Sequence, residues 1–170
     1  MGYNHSVLQI IYYLFGVSPV TMNLATIIKT LLLLPLGWIG IRHMLRPVNQ
    51  RGVDVPRLAL DLGFALYLGA FIWLDMVWEL SLGIAIYTYL VGTLENKKQI
   101  VFLSCLFLPY ALVDIWRLVS YLAFGDAILY DGAYVLTDPL IYLPWIMMVL
   151  LAFYGTILAR LWRAPNVVNP

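Results

Sequence analysis

Charged side chains inside long apolar stretches are the residues of this sequence best placed to do chemistry. Lys29, Asp114 and Arg117 are three such residues, and a charge within a membrane span is costly and often marks function. Asp114 and Arg117 share one helix face, because they are three positions apart. We expect Lys29 to lie at a similar depth and either to pair with Asp114 or to extend its ammonium group to the membrane surface. The three residues are predicted to form an intramembrane polar cluster held by ion pairing.

Two functional alternatives remain open for this polar cluster. Lys29 could be the counter-ion of a lipid phosphate or of a carboxylate on a partner protein. A small transporter could instead use Lys29, Asp114 and Arg117 as a proton relay. Such a relay needs a chain of partners across the membrane, and only Asp61 stands within another span, in its cytoplasmic half.

A pair of carboxylates, Asp75 and Glu79, lies between two apolar stretches. Carboxylates four positions apart could serve as general acid and base, or could hold a divalent cation. No third ligand is evident nearby. The simpler interpretation is a solvated cap on the external face.

The two histidines, His5 and His43, lie near opposite membrane boundaries, so they cannot bind one metal ion together. Either one alone could ligate the central metal of a porphyrin or chlorin. Cys105 is the only cysteine, which excludes an internal disulfide, and its apolar surroundings predict an inert packing thiol. The sequence contains no spacing typical of a metal site, no nucleophile–base pair and no phosphate-binding glycine-rich loop.

The composition predicts an all-α integral membrane protein that forms a single transmembrane domain over residues 1–170. Hydrophobic residues make up 63% of the chain and charged residues 11%, against roughly half and a quarter in soluble domains. A span needs ~20 mainly apolar residues, which gives about five transmembrane helices, after a short interfacial helix over 7–15. The predicted spans are 22–45, 56–74, 77–94, 98–124 and 139–162, and residues 164–170 are predicted to be a flexible tail.

Proline and small residues predict how these helices pack. Pro35 should kink the first span, and Thr30 or a neighbouring helix should cover the freed carbonyl. Small residues that permit close contact between helices occur at Gly37, Gly40, Gly63, Ala65, Gly69, Ala70, Gly83 and Ala85.

The charge distribution predicts the topology. Eight of the ten Lys and Arg residues fall into three places that lie on one side of the membrane: Arg42, Arg46, Arg51, Arg57, Lys97, Lys98, Arg160 and Arg163. The opposite side carries only acidic residues: Asp75, Glu79, Asp126, Asp131 and Asp138. The positive-inside rule then puts the N-terminus outside and the C-terminus in the cytoplasm. We expect a multi-pass protein of the bacterial cytoplasmic membrane.

Two stretches resemble a known enzyme family. Residues 4–45 combine a short aromatic helix, Gly16-Val17-Ser18-Pro19 and a long Leu-rich span, and residues 73–79 form a Trp-Glu-containing break between two helices. Together they resemble the C-terminal half of bacterial GT-C superfamily glycosyltransferases, which use polyprenol-phosphate sugars. The resemblance implies that Glu79 and Asp75 act at the external face and that Lys29 or Arg117 holds phosphate. The family's catalytic acidic residue lies in a first external loop that this chain lacks, so the resemblance implies a remnant of the scaffold.

The leading hypothesis is a non-catalytic accessory subunit that packs against other integral membrane subunits and lipids in a larger complex. Photosynthetic and respiratory complexes are the expected hosts. No cofactor is evident in the sequence, although the wide apolar helix faces could contact a bound lipid, carotenoid, chlorin or quinone. Nothing in the charge distribution predicts a nucleic-acid partner. The alternatives are a glycosyltransferase-like remnant or split enzyme, and a small transporter.

Overall fold

The computed structural model describes residues 6–44, 55–75, 80–124 and 145–163. These ranges contain six helices and no strand, which confirms the all-α prediction. The helices are α1 (Val7–Phe15), α2 (Pro19–Met44), α3 (Val55–Trp73), α4 (Gly83–Thr93), α5 (Lys97–Phe124) and α6 (Trp145–Arg163).

Three stretches of helix are long and apolar enough to cross a membrane: Pro19–His43, Pro56–Trp73 and Trp145–Arg163. They correspond to the first, second and fifth predicted spans. The third predicted span, 77–94, differs most, because its helix α4 has only 11 residues. Residues 80–82 form a turn instead, with Leu82 in the left-handed region at φ 37° and the Gly83 N–H bonded to the Leu80 carbonyl. The predicted tail 164–170 lies outside the described residues.

The described residues form two compact units, and α6 begins in one and ends in the other. The first unit comprises the described parts of Ser6–Met76 and Leu151–Pro170, and the second those of Val77–Leu150.

The first unit begins with a tight joint between α1 and α2. Ser6 caps α1, since its hydroxyl accepts a hydrogen bond from the Gln9 N–H at 3.2 Å. Gly16 ends α1 at φ 79°, a backbone conformation that favours glycine. Ser18 and Thr21 then cap α2 reciprocally, each hydroxyl accepting from the other's backbone N–H, at 2.9 and 3.1 Å. The joint seats α1 against α2.

Helices α2, α3 and the second part of α6 pack around Gly69. A Cβ on Gly69 would lie 3.0 Å from a Leu36 methyl carbon and 3.1 Å from one of Leu33, so the absence of a side chain permits this contact. The surrounding core is formed by fully buried apolar side chains, among them Ala65, Leu68, Ile72, Phe153 and Ile157. Close packing at Gly69 agrees with the sequence prediction. At Gly37, Gly40 and Gly63 no described atom would lie within 4 Å of a Cβ, so the prediction of close contact there is wrong within the described residues.

In α2 and in α5, a carbonyl three residues before the proline accepts a hydrogen bond from a side chain of α6. In the first unit the Tyr154 hydroxyl donates to the Leu32 carbonyl at 3.0 Å, three residues before Pro35. In the second unit the Trp145 indole N–H donates to the Leu106 carbonyl at 2.9 Å, three residues before Pro109. The carbonyl that loses its helical donor at Pro35 is that of Leu31, four residues earlier, so the predicted cover of that carbonyl stays a prediction. Thr30 donates instead to the Thr26 carbonyl.

The second unit is built on a hairpin of α4 and α5. Gly83 lets the Phe107 ring approach, since a Cβ there would lie 3.2 Å from a ring carbon. Phe107 stacks on Tyr87 with ring centroids 4.7 Å apart, and the Tyr87 hydroxyl is 2.9 Å from that of Ser104. The Tyr110 hydroxyl accepts from the Leu80 N–H at 3.1 Å and so holds the turn that precedes α4.

Candidate functional site

Lys29 lies in α2 and is only 5% exposed. Its ammonium group donates to the Trp73 carbonyl at 2.9 Å and forms an ion pair with the Asp75 carboxylate. The same Nζ atom lies 5.9 Å from the centroid of the Trp73 ring. A buried charge needs such partners, because burial without them costs several kcal/mol, roughly. All three partners come from the end of α3.

The end of α3 explains why a lysine binds there. Trp73 is the last residue of α3, so its carbonyl has no partner within the helix, and the negative end of the helix dipole favours a cation. Lys29 therefore caps the C-terminus of α3 from a neighbouring helix. Asp75 adds a full negative charge two residues later, with a side chain that is 70% exposed.

The sequence predicted that Lys29 pairs with Asp114 or extends to the membrane surface. The structure shows an ion pair with Asp75, a residue that the sequence assigned to a solvated cap. The side chains of Asp114 and Arg117 lie outside the described residues, so the three-residue polar cluster stays a prediction. Glu79 and His5 also lie outside the described residues. The signal that could have identified Asp75 is its position just beyond α3, within reach of a long side chain on the preceding antiparallel helix.

A second ion pair joins α3 to α6. The terminal guanidinium nitrogen Nη2 of Arg160 lies 2.8 and 3.0 Å from the two carboxylate oxygens of Asp61. The Asp61 side chain is buried at 7% exposure, and that of Arg160 is half-buried at 14%. Sequence reasoning placed Asp61 within a span but gave it no partner. The pair could have been predicted, because Asp61 lies near the start of α3 and Arg160 near the end of α6, and these ends meet when the two helices are antiparallel.

The ends of α2 and α6 meet through Arg42. Its guanidinium Nη1 donates to the Trp162 carbonyl at 3.5 Å, and its central carbon lies 5.9 Å from the centroid of the Trp162 ring. His43 is half-buried in the same last turn of α2. Cys105 is exposed on α5, so its predicted role as a packing thiol is wrong.

The arrangement of these groups is suited to holding helices together. Both carboxylates of the first unit's described residues, Asp61 and Asp75, are engaged by a cation from another helix. No group of three or more His, Cys, Asp or Glu side chains that could hold a metal ion occurs within the described ranges. A cavity of about 220 Å³ in the second unit is lined mainly by apolar groups, including Gly83, Phe107 and Ile115. Among the described residues, these two ion pairs each join two helices.

Comparison of the chain with protein-family models, with curated proteins and with solved structures finds no match.

Proposed function

We propose that this chain is a non-catalytic accessory subunit that packs within a larger membrane protein complex. It would cross the bacterial cytoplasmic membrane about five times, with the N-terminus outside and the C-terminus in the cytoplasm. The observation that carries the proposal is the pairing of Lys29 with Asp75 and of Arg160 with Asp61. These four charges join helices of the chain to one another, which supports a structural role for them.

The outer surface of α2 supports the same proposal. One face of this helix carries large apolar side chains at alternating spacings of four and three residues, all of them exposed: Val20, Leu24, Ile27, Leu31, Leu34, Trp38 and Ile41. This face needs an apolar environment, which a bilayer or another membrane subunit supplies.

Glycines on α2 favour a protein partner over lipid alone. Gly37 and Gly40 flank the exposed Trp38, and no described atom would contact a Cβ at either position. Small residues at such positions let the backbone of a second helix approach closely, which is the usual basis of helix association in membranes. The face around Gly37 is therefore the part of α2 best suited to a partner helix.

The test is to extract the native protein in mild detergent and separate it by size. We expect it to run in a large particle with defined protein partners, and the absorption spectrum of that particle would reveal a chlorin, carotenoid or quinone of a photosynthetic or respiratory host. Migration as a lone monomer in its detergent micelle would contradict the proposal.

The glycosyltransferase and transporter alternatives depend on Glu79, Asp114 and Arg117, whose side chains lie outside the described residues. Asp75, the other acidic residue of the glycosyltransferase alternative, is engaged by Lys29. Loss of sugar transfer in Glu79→Gln, or loss of uptake in Asp114→Asn with normal expression, would favour these alternatives.

A further inference from the structure

We infer that the joint between α1 and α2 is seated in lipid, at the boundary between the headgroups and the acyl chains. This lipid-facing joint is defined here as residues 13–20, and its partner is the lipid of the leaflet farther from Arg42. The inference rests on the membrane residence that is part of the proposed function. It does not require a partner subunit.

The lipid-facing joint exposes apolar side chains on several sides. Its large apolar side chains are 63% to 80% exposed: Tyr13, Leu14, Phe15, Val17 and Val20. Successive residues of a helix are turned by about 100°, so Tyr13, Leu14 and Phe15 leave α1 in three different directions. A partner protein covers one side of such a joint, whereas a bilayer surrounds it. The distribution of the exposed side chains therefore favours lipid.

No charged side chain interrupts this apolar surface. Residues 1–28 contain no Asp, Glu, Lys or Arg, and Lys29, the first charged side chain, is buried. Charged residues are the ones that proteins most often expose to water. Their absence from the joint matches an apolar environment, and it leaves a protein partner no ion pair through which to bind there.

The backbone of the joint is bonded to local groups instead of water. Besides the reciprocal caps of Ser18 and Thr21, the Thr21 hydroxyl donates to the Gly16 carbonyl at 2.9 Å. The Gly16 N–H donates to the Tyr12 carbonyl at 2.9 Å. Pro19, the first residue of α2, has no N–H that would need a partner. Backbone groups that are bonded in this way can enter a layer that is poor in water.

The length of α2 gives the depth of the joint. At 1.5 Å per residue, Pro19 lies roughly 35 Å along α2 from Arg42, which stands in the last turn. The hydrocarbon core of a bilayer is ~30 Å thick, so Pro19 reaches one boundary of the core when Arg42 lies at the other. Tyr13 is a residue type that is enriched at this depth.

Spin labels can report the depth and the surroundings of the joint. Phe15→Cys or Val17→Cys is made in a Cys105→Ser chain, labelled, and reconstituted into vesicles of phosphatidylglycerol and phosphatidylethanolamine. Leu31→Cys, exposed in the middle of α2, is the reference for acyl chains, and Glu95→Cys, exposed between α4 and α5, is the reference for water. The measurement is the ratio of two collision rates, one with oxygen, which concentrates in lipid, and one with a nickel chelate, which stays in water.

We expect the ratio at Phe15 and Val17 to fall between those at Leu31 and Glu95. A ratio equal to that of Glu95 would put the joint in water, and one equal to that of Leu31 would put it among the acyl chains; either would overturn the inference. Low collision rates with both reagents would also overturn it, because they show that protein covers the joint. If Leu31 gave a ratio as low as that of Glu95, the proposed membrane crossing would fail instead.

Crosslinking in native membranes checks for a partner that purification would remove. Benzoylphenylalanine replaces Phe15 at the joint, or Trp38 on the exposed face of α2, and ultraviolet light links it to its neighbours. We expect the Phe15 variant to give a lipid adduct, measured as added mass on the intact chain, and the Trp38 variant to link to a partner protein. A protein crosslink from position 15 would overturn the inference. Absence of a protein crosslink from position 38 would count against the proposed subunit function alone.

Discussion

The hydroxyl of Tyr154 donates a hydrogen bond to the backbone carbonyl of Leu32, at 3.0 Å, in the turn of α2 that precedes Pro35. A proline has no N–H, so the carbonyl four residues before it, that of Leu31, loses its donor within the helix, and Tyr154 binds the next carbonyl of the same turn. Trp145 has the same relationship to Leu106, three residues before Pro109. One helix thus supplies an aromatic donor to each of two proline-containing helices.

Removing the Tyr154 hydroxyl should destabilise the protein. Tyr154→Phe keeps the ring in the core but leaves the Leu32 carbonyl without this donor, and the expected loss is about 1 kcal/mol in the free energy of unfolding. Titration with sodium dodecyl sulfate from a mild detergent measures it. Tyr13→Phe is the matched control, because Tyr13 is 71% exposed on α1 and should tolerate the change. Equal stability of the two variants would show that the Leu32 hydrogen bond contributes little.

The two partners of the Lys29–Asp75 ion pair should respond unequally to removal. Asp75→Ala leaves a buried ammonium group with the carbonyl and the ring of Trp73 but no counter-charge, so we expect a loss of about 2–3 kcal/mol in the free energy of unfolding. Lys29→Met leaves an exposed carboxylate that water can solvate, and should cost less than ~1 kcal/mol.

The double variant Lys29→Met/Asp75→Ala is the decisive control for this pair. It removes the buried charge along with its partner, so it should recover most of the stability that Asp75→Ala loses. Chemical unfolding of all four proteins in one detergent gives the comparison. If Lys29→Met lowered the free energy of unfolding more than Asp75→Ala does, burial of the Lys29 charge would not explain the loss of stability.

A side chain at Gly69 should disturb the packing of α2 against α3. The added carbons of Gly69→Val would meet Leu36 and Leu33, and overpacking of this kind costs about 1–3 kcal/mol. Gly63→Val is the matched control on the same helix, where a Cβ meets no described atom within 4 Å. Thermal unfolding monitored by circular dichroism should give a lower melting temperature for Gly69→Val than for Gly63→Val. A similar melting temperature for both variants would contradict the close contact at Gly69.

A large side chain at Gly37 should weaken association with a partner without weakening the fold. Gly37→Leu fills an open position on the exposed face of α2, where the proposed partner helix would approach. We expect it to shift the protein from the large particle to the monomer in size separation. Gly92→Leu in α4, also an open position, is the control and should remain in the particle. Retention of both variants in the particle would place the interface elsewhere.

Much of the helical organisation could be predicted from apolar length and from Pro and Gly residues. The bounds of α1 follow from Ser6 and Gly16, and α3 begins one residue before the predicted start at Pro56. The turn at residues 80–82 could not be predicted, because Leu80 and Leu82 are as apolar as the helix that follows. Leu82 adopts the left-handed conformation in this turn, and the Leu80 N–H donates to the hydroxyl of Tyr110, a contact between residues thirty positions apart.

The ion pairs were less predictable than the helices. Depth along a span can be counted from the sequence, but the choice of partner depends on which helices are neighbours and where each one ends. Lys29 illustrates the difficulty: Asp75 stands beyond the end of α3, so it was taken for a group in water. Its contact with Lys29 depends on the reach of the lysine side chain along α2.

The placement of Tyr154, Trp145 and Arg160 on one late helix has a consequence for biogenesis. Lys29 and Asp75 can pair once α2 and α3 have been synthesised. The Leu32 and Leu106 carbonyls and the Asp61 carboxylate can bind their partners only after α6 has been synthesised. Until then Asp61 and the carbonyls of Leu32 and Leu106 lack these donors. We therefore expect a chain that ends before residue 145 to be less stable than the full chain and to be degraded faster in cells.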